Sequence, residues 1–192
     1  MTPKPSQEPE IEVNQTRFLD PREGIVTIGN GLAKRNGSEN GSHRRIYLMD
    51  SIRVKHGLVI AFSAYFTRAS HDGKGVRFQV WRRKQFREKK NLFELIAEKL
   101  YVPTKEGPVT LYLSPSERFN VSDFDYLGFM NEPDDNMIAY DAVAGDPSYA
   151  LMYYVLYDQR QQISVGESYQ FDDLKLYRKY SLSVTVDTTY SG

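Results

Sequence analysis

The densest group of charged side chains in the sequence is the basic segment, residues 82–90. Its six cations, against the single anion Glu88, are Arg82, Arg83, Lys84, Arg87, Lys89 and Lys90. Guanidinium groups bind sulfate or carboxylate groups by paired hydrogen bonds, and ammonium groups bind them as point charges. The segment falls between two predicted strands, where a hairpin loop would expose it to solvent. These six residues are the candidate site for a protein partner or an acidic glycan; a solvated loop that protects the strand edges is the alternative.

The oxygen-rich segment Asn131–Asn136 is the electrostatic opposite of the basic segment. Asp134, Asp135 and Asn136 are its candidate metal ligands, because Ca²⁺ binds about six to eight oxygen atoms. The spacing is not that of an EF-hand, and turn formation by Pro, Asp and Asn explains the segment without an ion. No other cofactor is predicted. The segment has a second candidate use in self-association, with the acidic loop of one copy against the basic segment of another.

Residue patterns typical of catalysis are scarce. The sequence has no Cys, which excludes thiol nucleophiles and thiolate metal sites. It also lacks the nucleophile elbow, the metalloprotease helix and the P-loop. The three histidines, His43, His56 and His71, are far apart in sequence and are predicted to lie on the surface. We therefore predict a protein that is not an enzyme, with a triad assembled in space as the alternative.

Four Asn-x-Ser/Thr sequences, at Asn14, Asn36, Asn40 and Asn120, are candidate N-glycosylation sites. Chance would give about one in a chain of this composition, so the excess favours an extracellular location. Residues 1–10 are polar and rich in Pro and contain no apolar signal region, so we expect a fragment or mature form of a secreted protein. An intracellular filament or capsid protein is the alternative, which the missing Cys favours.

Composition and charge exclude further classes of protein. In 192 residues, 25 Lys and Arg balance 25 Asp and Glu, so no net positive field favours nucleic acids. The apolar runs are far shorter than the roughly 18 residues of a membrane helix, so membrane insertion is not predicted. The length suits one domain, which we place at residues 21–192. Residues 1–20 are rich in Pro and poor in core-forming residues, and are predicted to be a flexible, disordered tail or linker.

The apolar pattern of this domain predicts strands rather than helices. Alternation is clearest in residues 58–67, where Leu58, Ile60, Phe62, Ala64 and Phe66 share one face. A half-buried strand is predicted next, with Val76, Phe78 and Val80 inward and Arg77, Gln79 and Trp81 outward. The last strand places Leu182, Val184 and Val186 inward and Ser181, Ser183 and Thr185 outward. Residues 91–102 favour a strand over a short helix. About eight to ten short strands separated by turns predict an all-β, antiparallel β-sandwich of the jelly-roll type.

Four short motifs resemble, in their order, those of modules in extracellular adhesion and matrix proteins of invertebrates. The motifs are Gly75–Arg82, which ends in Val-Trp-Arg, Asp125–Phe129, Ile138–Asp141 and Arg178–Leu182. The resemblance spans residues 24–187 and implies a noncatalytic β-sandwich module, often joined to other domains, with no defined active site. The chain differs from these modules in its basic segment and at Phe124, where a Gly usually precedes the aspartate.

These observations predict a noncatalytic extracellular module for adhesion or matrix assembly, acting through protein contacts or acidic glycans. The main alternative is a lectin-like carbohydrate-binding module, which requires a groove with exposed aromatic rings beside fixed polar groups. Tyr149, Tyr153 and Tyr157 share one face of a predicted strand and are candidates for an aromatic platform, although packing in the core also explains them.

Overall fold

The computed structural model describes residues 24–37, 45–71, 73–86, 89–132, 137–146, 152–156 and 163–190. The predicted tail, residues 1–20, lies outside these residues. The described chain is almost entirely strand, and its helical structure is one 3₁₀ turn, Pro115–Glu117. No helix among the described residues has the length and apolar character needed to cross a membrane.

Fourteen strands form the described part of the chain. In order they are β1 (Ile25–Gly29), β2 (Arg45–Arg53), β3 (Gly57–Phe66), β4 (Val76–Phe86), β5 (Lys89–Tyr101), β6 (Gly107–Tyr112), β7 (Phe119–Val121), β8 (Tyr126–Asn131), β9 (Tyr140–Ala142), β10 (Met152–Leu156), β11 (Ser168–Gln170), β12 (Asp172–Leu174), β13 (Arg178–Tyr180) and β14 (Leu182–Asp187).

Two antiparallel sheets face each other. The first has the order β1-β14-β3-β6, with β7 also paired to β3, and the second has the order β11-β5-β4-β8-β2-β10-β12. Strands β1-β14-β3-β6 and β5-β4-β8-β2 are arranged as in a jelly roll, whose two sheets are joined by long crossing connections. The predicted all-β antiparallel sandwich is confirmed, and the segment predicted at residues 91–102 is a strand rather than a helix, ending at Tyr101.

The main core lies between the two sheets. Leu182, Val184 and Val186 point into it, as predicted. Phe62 of the first sheet stacks on Phe78 of the second, with 5.2 Å between the ring centroids. Burial of large apolar side chains of this kind contributes about 1.5–3 kcal/mol each to stability. This core therefore fixes how the two sheets face each other.

One inward face differs from the prediction because β3 carries a bulge. Thr185 pairs with Ala61, but the next residue, Val186, pairs with Val59, so Ile60 is an extra residue on β3. A bulge of one residue moves the following side chains to the opposite face. The residues of this strand that belong to the main core are accordingly Val59, Phe62, Ala64 and Phe66, and Leu58 and Ile60 are only partly buried.

The second sheet curls until its two edges meet. Its edge strands, β11 and β12, are separated in sequence only by Phe171, and one residue spans about 3.5 Å at most. We call residues 168–174 the closing segment, because its first half pairs with β5 and its second half with β10. Phe171 points into the curl and packs on Trp81 and Phe93, at 5.0 and 5.2 Å between ring centroids.

The side chains inside the curled sheet, among them Trp81, Phe93 and Phe171, form a second core. This core corrects two expectations about outward faces. Trp81 and Gln79 on β4 are fully buried rather than exposed, because the curled sheet encloses them. Gly128 on β8 permits the enclosure, since a Cβ there would lie 2.5 Å from Leu48 and 3.2 Å from Trp81. On β14, the outward-facing Ser183 and Thr185 are also buried, and Thr185 Oγ1 lies 3.2 Å from Thr27 Oγ1 on the neighbouring strand.

Candidate functional site

The first residues of the basic segment lie within a strand. β4 extends to Phe86 and β5 begins at Lys89, and Arg82, Arg83 and Lys84 pair in register with Glu94, Phe93 and Leu92. The predicted exposed loop is wrong for these three residues, because β5 supplies a cross-strand partner for each. Lys89 and Lys90 belong to β5 by their backbone, and Arg87 lies outside the described residues.

Arg82 is held by a nearly buried carboxylate. Its Nε and Nη2 donate hydrogen bonds of 2.9 and 2.8 Å to the two oxygens of Asp125, whose side chain is 2% exposed. The backbone N–H of Ser122 donates a third bond of 2.9 Å to the same carboxylate. The hydrogen bonds to Asp125 raise the pKa of Arg82 above its ordinary value. The pair joins β4 to the turn before β8 and keeps the guanidinium in one orientation.

Arg83 and Lys84 lie further along β4 and make contacts on the surface. Arg83 Nη2 donates a hydrogen bond of 2.9 Å to Asn91 Oδ1, and its guanidinium carbon lies 5.8 Å from the ring centroid of Phe93. Asn91 Nδ2 in turn donates to Asp173 of the closing segment, at 2.8 Å. Lys84 forms an ion pair with Glu94. Arg83 is exposed and remains accessible to a partner.

An exposed aromatic ring lies beside these cations. Phe124 is 75% exposed and has a backbone φ of 70°. Its N–H donates to the Val54 carbonyl at 3.1 Å, and the N–H of Asp125 donates to the Ser122 carbonyl at 3.2 Å. These bonds close a tight turn. A positive φ is the geometry that glycine adopts readily and that other residues adopt at a cost.

The Phe124 turn and β4 enclose a surface cleft of about 440 Å³. Its lining residues are Arg82, Arg83, Ser122, Asp123, Phe124, Asp125 and Tyr126. Asp123 anchors the rim, because its Oδ1 accepts a hydrogen bond of 2.9 Å from the N–H of His56. The cleft thus combines an exposed ring with charged groups of both signs, and it is our candidate functional site.

Sequence reasoning found two of the seven residues that line this cleft. Arg82 and Arg83 were candidates because they lie in the basic segment, whereas Asp125 is 43 residues away and no local pattern joins the two. Phe124 had one signal, since the expected resemblance would place a Gly before the aspartate. Its backbone geometry explains why Gly suits that position.

The oxygen-rich segment, residues 131–136, is described only at Asn131 and Glu132. Glu132 Oε1 accepts hydrogen bonds of 2.9 and 2.5 Å from Arg77, and Glu132 Oε2 accepts one of 3.2 Å from the N–H of Gly75. The candidate Ca²⁺ ligands Asp134, Asp135 and Asn136 lie outside the described residues. Within the described ranges, no group of three or more His, Asp or Glu is placed to hold a metal ion.

A second charged cluster has a structural role. Arg35 donates from Nη1 to Asp141 Oδ2 and from Nε to Ser181 Oγ, both at 2.6 Å, and from Nη2 to the Gly31 carbonyl at 3.1 Å. The hydrogen bond from Arg35 lowers the pKa of Asp141. These bonds fasten the loop after β1 to β9 and to the start of β14.

The remaining candidates fall partly outside the described chain. His56 and His71 are exposed, as predicted for surface histidines, while His43 lies in an undescribed range. The glycosylation candidates Asn36 and Asn120 are exposed, whereas Asn14 and Asn40 are not described. Of the tyrosine stripe, Tyr149 and Tyr157 are not described, and Tyr153 is described only by its backbone in β10.

The four sequence motifs come together as two pairs in the structure. Arg82 at the end of the first motif binds Asp125 at the start of the second. Asp141 of the third and Ser181 of the fourth both bind Arg35. The chain matches no protein-family model, no curated protein and no solved structure.

Proposed function

We propose that this chain is a noncatalytic recognition module of extracellular adhesion or matrix assembly, and that it binds an acidic glycan on the surface formed by β4 and the Phe124 turn. One observation carries the proposal: an exposed ring and an exposed arginine, Phe124 and Arg83, flank the fixed Arg82–Asp125 pair in one cleft. The resemblance to invertebrate adhesion and matrix modules supports the extracellular setting.

Three carboxylates beside β4 are paired with arginines, which supports a structural role for them rather than catalysis, whereas Asp123 of the cleft accepts a backbone N–H. Asp125 accepts from Arg82, and Glu98 and Glu132 both accept from Arg77. A general base needs a lone pair available to a substrate proton, and these carboxylates are bound to guanidinium groups. The ion pairs link neighbouring strands, which is a structural task.

The basic segment supports an acidic partner. Arg83 is exposed at the cleft, and Arg87, Lys89 and Lys90 follow within seven residues along the hairpin. Clustered cations attract sulfate and carboxylate groups even when the net charge of the protein is zero. Among the described cations, Arg83 is exposed and would contact such a group.

The first experiment measures calorimetric binding of a heparin tetrasaccharide to the wild type and to Arg83→Gln. We expect the variant to bind about tenfold more weakly, because one charge-assisted contact is lost. Raising salt from about 50 to 500 mM should weaken wild-type binding, since the Debye length falls from about 14 to 4 Å. Lys34→Gln, which removes an exposed cation paired with Glu106, is the matched control and should bind like the wild type.

Two outcomes would contradict the proposal that this surface binds an acidic glycan. Absence of binding by the wild type would refute it. Self-association that Arg83→Gln abolishes, seen by sedimentation without any saccharide, would instead show a protein partner at this surface.

The extracellular setting has its own test. Asn36 and Asn120 are exposed, and oligosaccharide transfer requires an accessible Asn in the secretory pathway. Mass spectrometry of the native protein should find N-glycans at one or both residues. A native protein with unmodified asparagines at both positions would favour the intracellular alternative.

A further inference from the structure

The backbone conformation of Phe124 destabilises the fold, and burial of its side chain does not offset this strain. A residue other than Gly with a φ of 70° is strained, and a side chain that is 75% exposed gains little from burial. Glycine would make the same turn without strain. The ring therefore has a use outside the fold, and it stands at the rim of the cleft.

The polar groups of the cleft are fixed before any ligand arrives. Arg82 is held in place by Asp125, and Asp123 accepts the N–H of His56. Guanidinium groups only donate hydrogen bonds and carboxylates only accept them. A ligand that satisfies both kinds of group in one small volume needs atoms that donate and accept, as hydroxyl groups do.

The charge of the cleft is balanced. Its lining contains two arginines and two aspartates, so the formal charges of the lining cancel, and Arg83 is exposed at the rim. Its volume, about 440 Å³, lies within the roughly 300–1,000 Å³ of small-molecule sites. An uncharged ring that carries hydroxyl groups and one apolar face matches these properties.

We infer, building on the proposed function, that the cleft seats one pyranose ring of the bound glycan. The apolar face of the ring packs on Phe124, and its hydroxyl groups bond with Arg82 and Asp123. An acidic substituent of a neighbouring sugar lies at the rim of the cleft, beside Arg83. Ring binding is consequently insensitive to salt, whereas binding of the substituents is screened by it.

The test compares a heparin tetrasaccharide with the same saccharide after desulfation, N-acetylation of the freed amines and carboxyl reduction, which together remove its charges. We expect the wild type to bind the uncharged saccharide with an affinity that changes less than twofold between about 50 and 500 mM salt. Phe124→Ala should weaken binding of both saccharides about tenfold, because stacking on the ring is lost. Phe124→Tyr keeps an aromatic face and should bind both like the wild type.

The outcomes separate this inference from the proposed function. The ring site is refuted if Phe124→Ala binds both saccharides like the wild type, or if the uncharged saccharide does not bind. In that case, weaker binding of the charged saccharide by Arg83→Gln would still support the proposed glycan-binding function. If the wild type binds neither saccharide, both proposals fail. Because Phe124 is exposed, melting temperatures of the variants will show that they are folded.

Discussion

At Phe124, the substitution that should stabilise the fold should also remove the proposed contact with the sugar ring. Phe124→Gly should raise the free energy of unfolding by about 0.5–1 kcal/mol, since relief of about 1–2 kcal/mol of strain exceeds the entropic cost of glycine. Urea denaturation measures this change. The same variant should lose binding of the uncharged saccharide.

Phe124→Ala is the matched control, because it removes the ring and keeps the positive φ. Its stability should lie within about 0.5 kcal/mol of the wild type. A Phe124→Gly variant that is less stable than the wild type by more than about 1 kcal/mol would mean that the ring supports the fold.

The pKa of Asp141 should report the ion pair by which Arg35 holds the loop after β1. The hydrogen bond from Arg35 lowers the pKa of this carboxyl in the folded state, so ionised Asp141 stabilises the fold. That contribution is full above the unfolded pKa and is lost as pH falls through the lower, folded pKa. NMR titration should give Asp141 a pKa below the ordinary aspartate value, and Arg35→Met should raise it. Equal pKa values in the two proteins would contradict this account.

Among the strands, Arg82 and Arg83 are neighbours on β4 with different roles. Arg82→Gln should cost about 2–4 kcal/mol of stability, because it leaves the nearly buried carboxylate of Asp125 without its cation. The expected loss lies toward the lower end, since Arg82 itself is 38% exposed. Arg83→Gln should change stability by less than about 0.5 kcal/mol. Thermal melting of the two variants compares them directly.

A second substitution tests the reason for the difference. Arg82→Gln combined with Asp125→Asn removes both charges and should recover part of the lost stability. If the double variant is as unstable as the sum of the single variants, the ion pair is not the cause. The sequence alone predicted an exposed hairpin loop for both arginines, in which neutralising them would leave the melting temperature unchanged.

The strands themselves were largely readable from local pattern. Apolar alternation placed β3 and β14 because each has one face against the main core. The inversion at Ile60 was not readable, since a bulge depends on which residues of β14 lie opposite. The burial of Trp81 was missed for a similar reason: period-2 alternation separates two faces but does not tell whether the second face is also covered.

Over the whole molecule, the closing segment joins both edges of the curled sheet. Phe171→Ala should cost about 3–5 kcal/mol, because it opens a cavity beside Trp81 and Phe93. Hydrogen exchange should then accelerate together in Leu92–Glu94 of β5 and in Met152–Tyr154 of β10, which pair with the two halves of the segment.

Val165→Ala is a suitable control, because Val165 is close in sequence and 60% exposed, and it should leave exchange unchanged. Faster exchange in only one of the two strands would show that the edges open independently. The contact between Phe93 and Phe171 joins residues that are far apart in sequence. Sequence periodicity reports only local structure, so it did not predict this contact.

The ends of the described chain meet at one corner. Thr188 donates hydrogen bonds of 2.7 Å from its N–H and from its Oγ1 to the carbonyl of Gly24, and β1 and β14 run antiparallel from that point. Tension that pulls Gly24 and Thr188 apart acts along the ladder hydrogen bonds, which lie perpendicular to the strands. The bonds are then loaded one pair at a time, and the two strands peel apart at a lower force than strands that are sheared past each other.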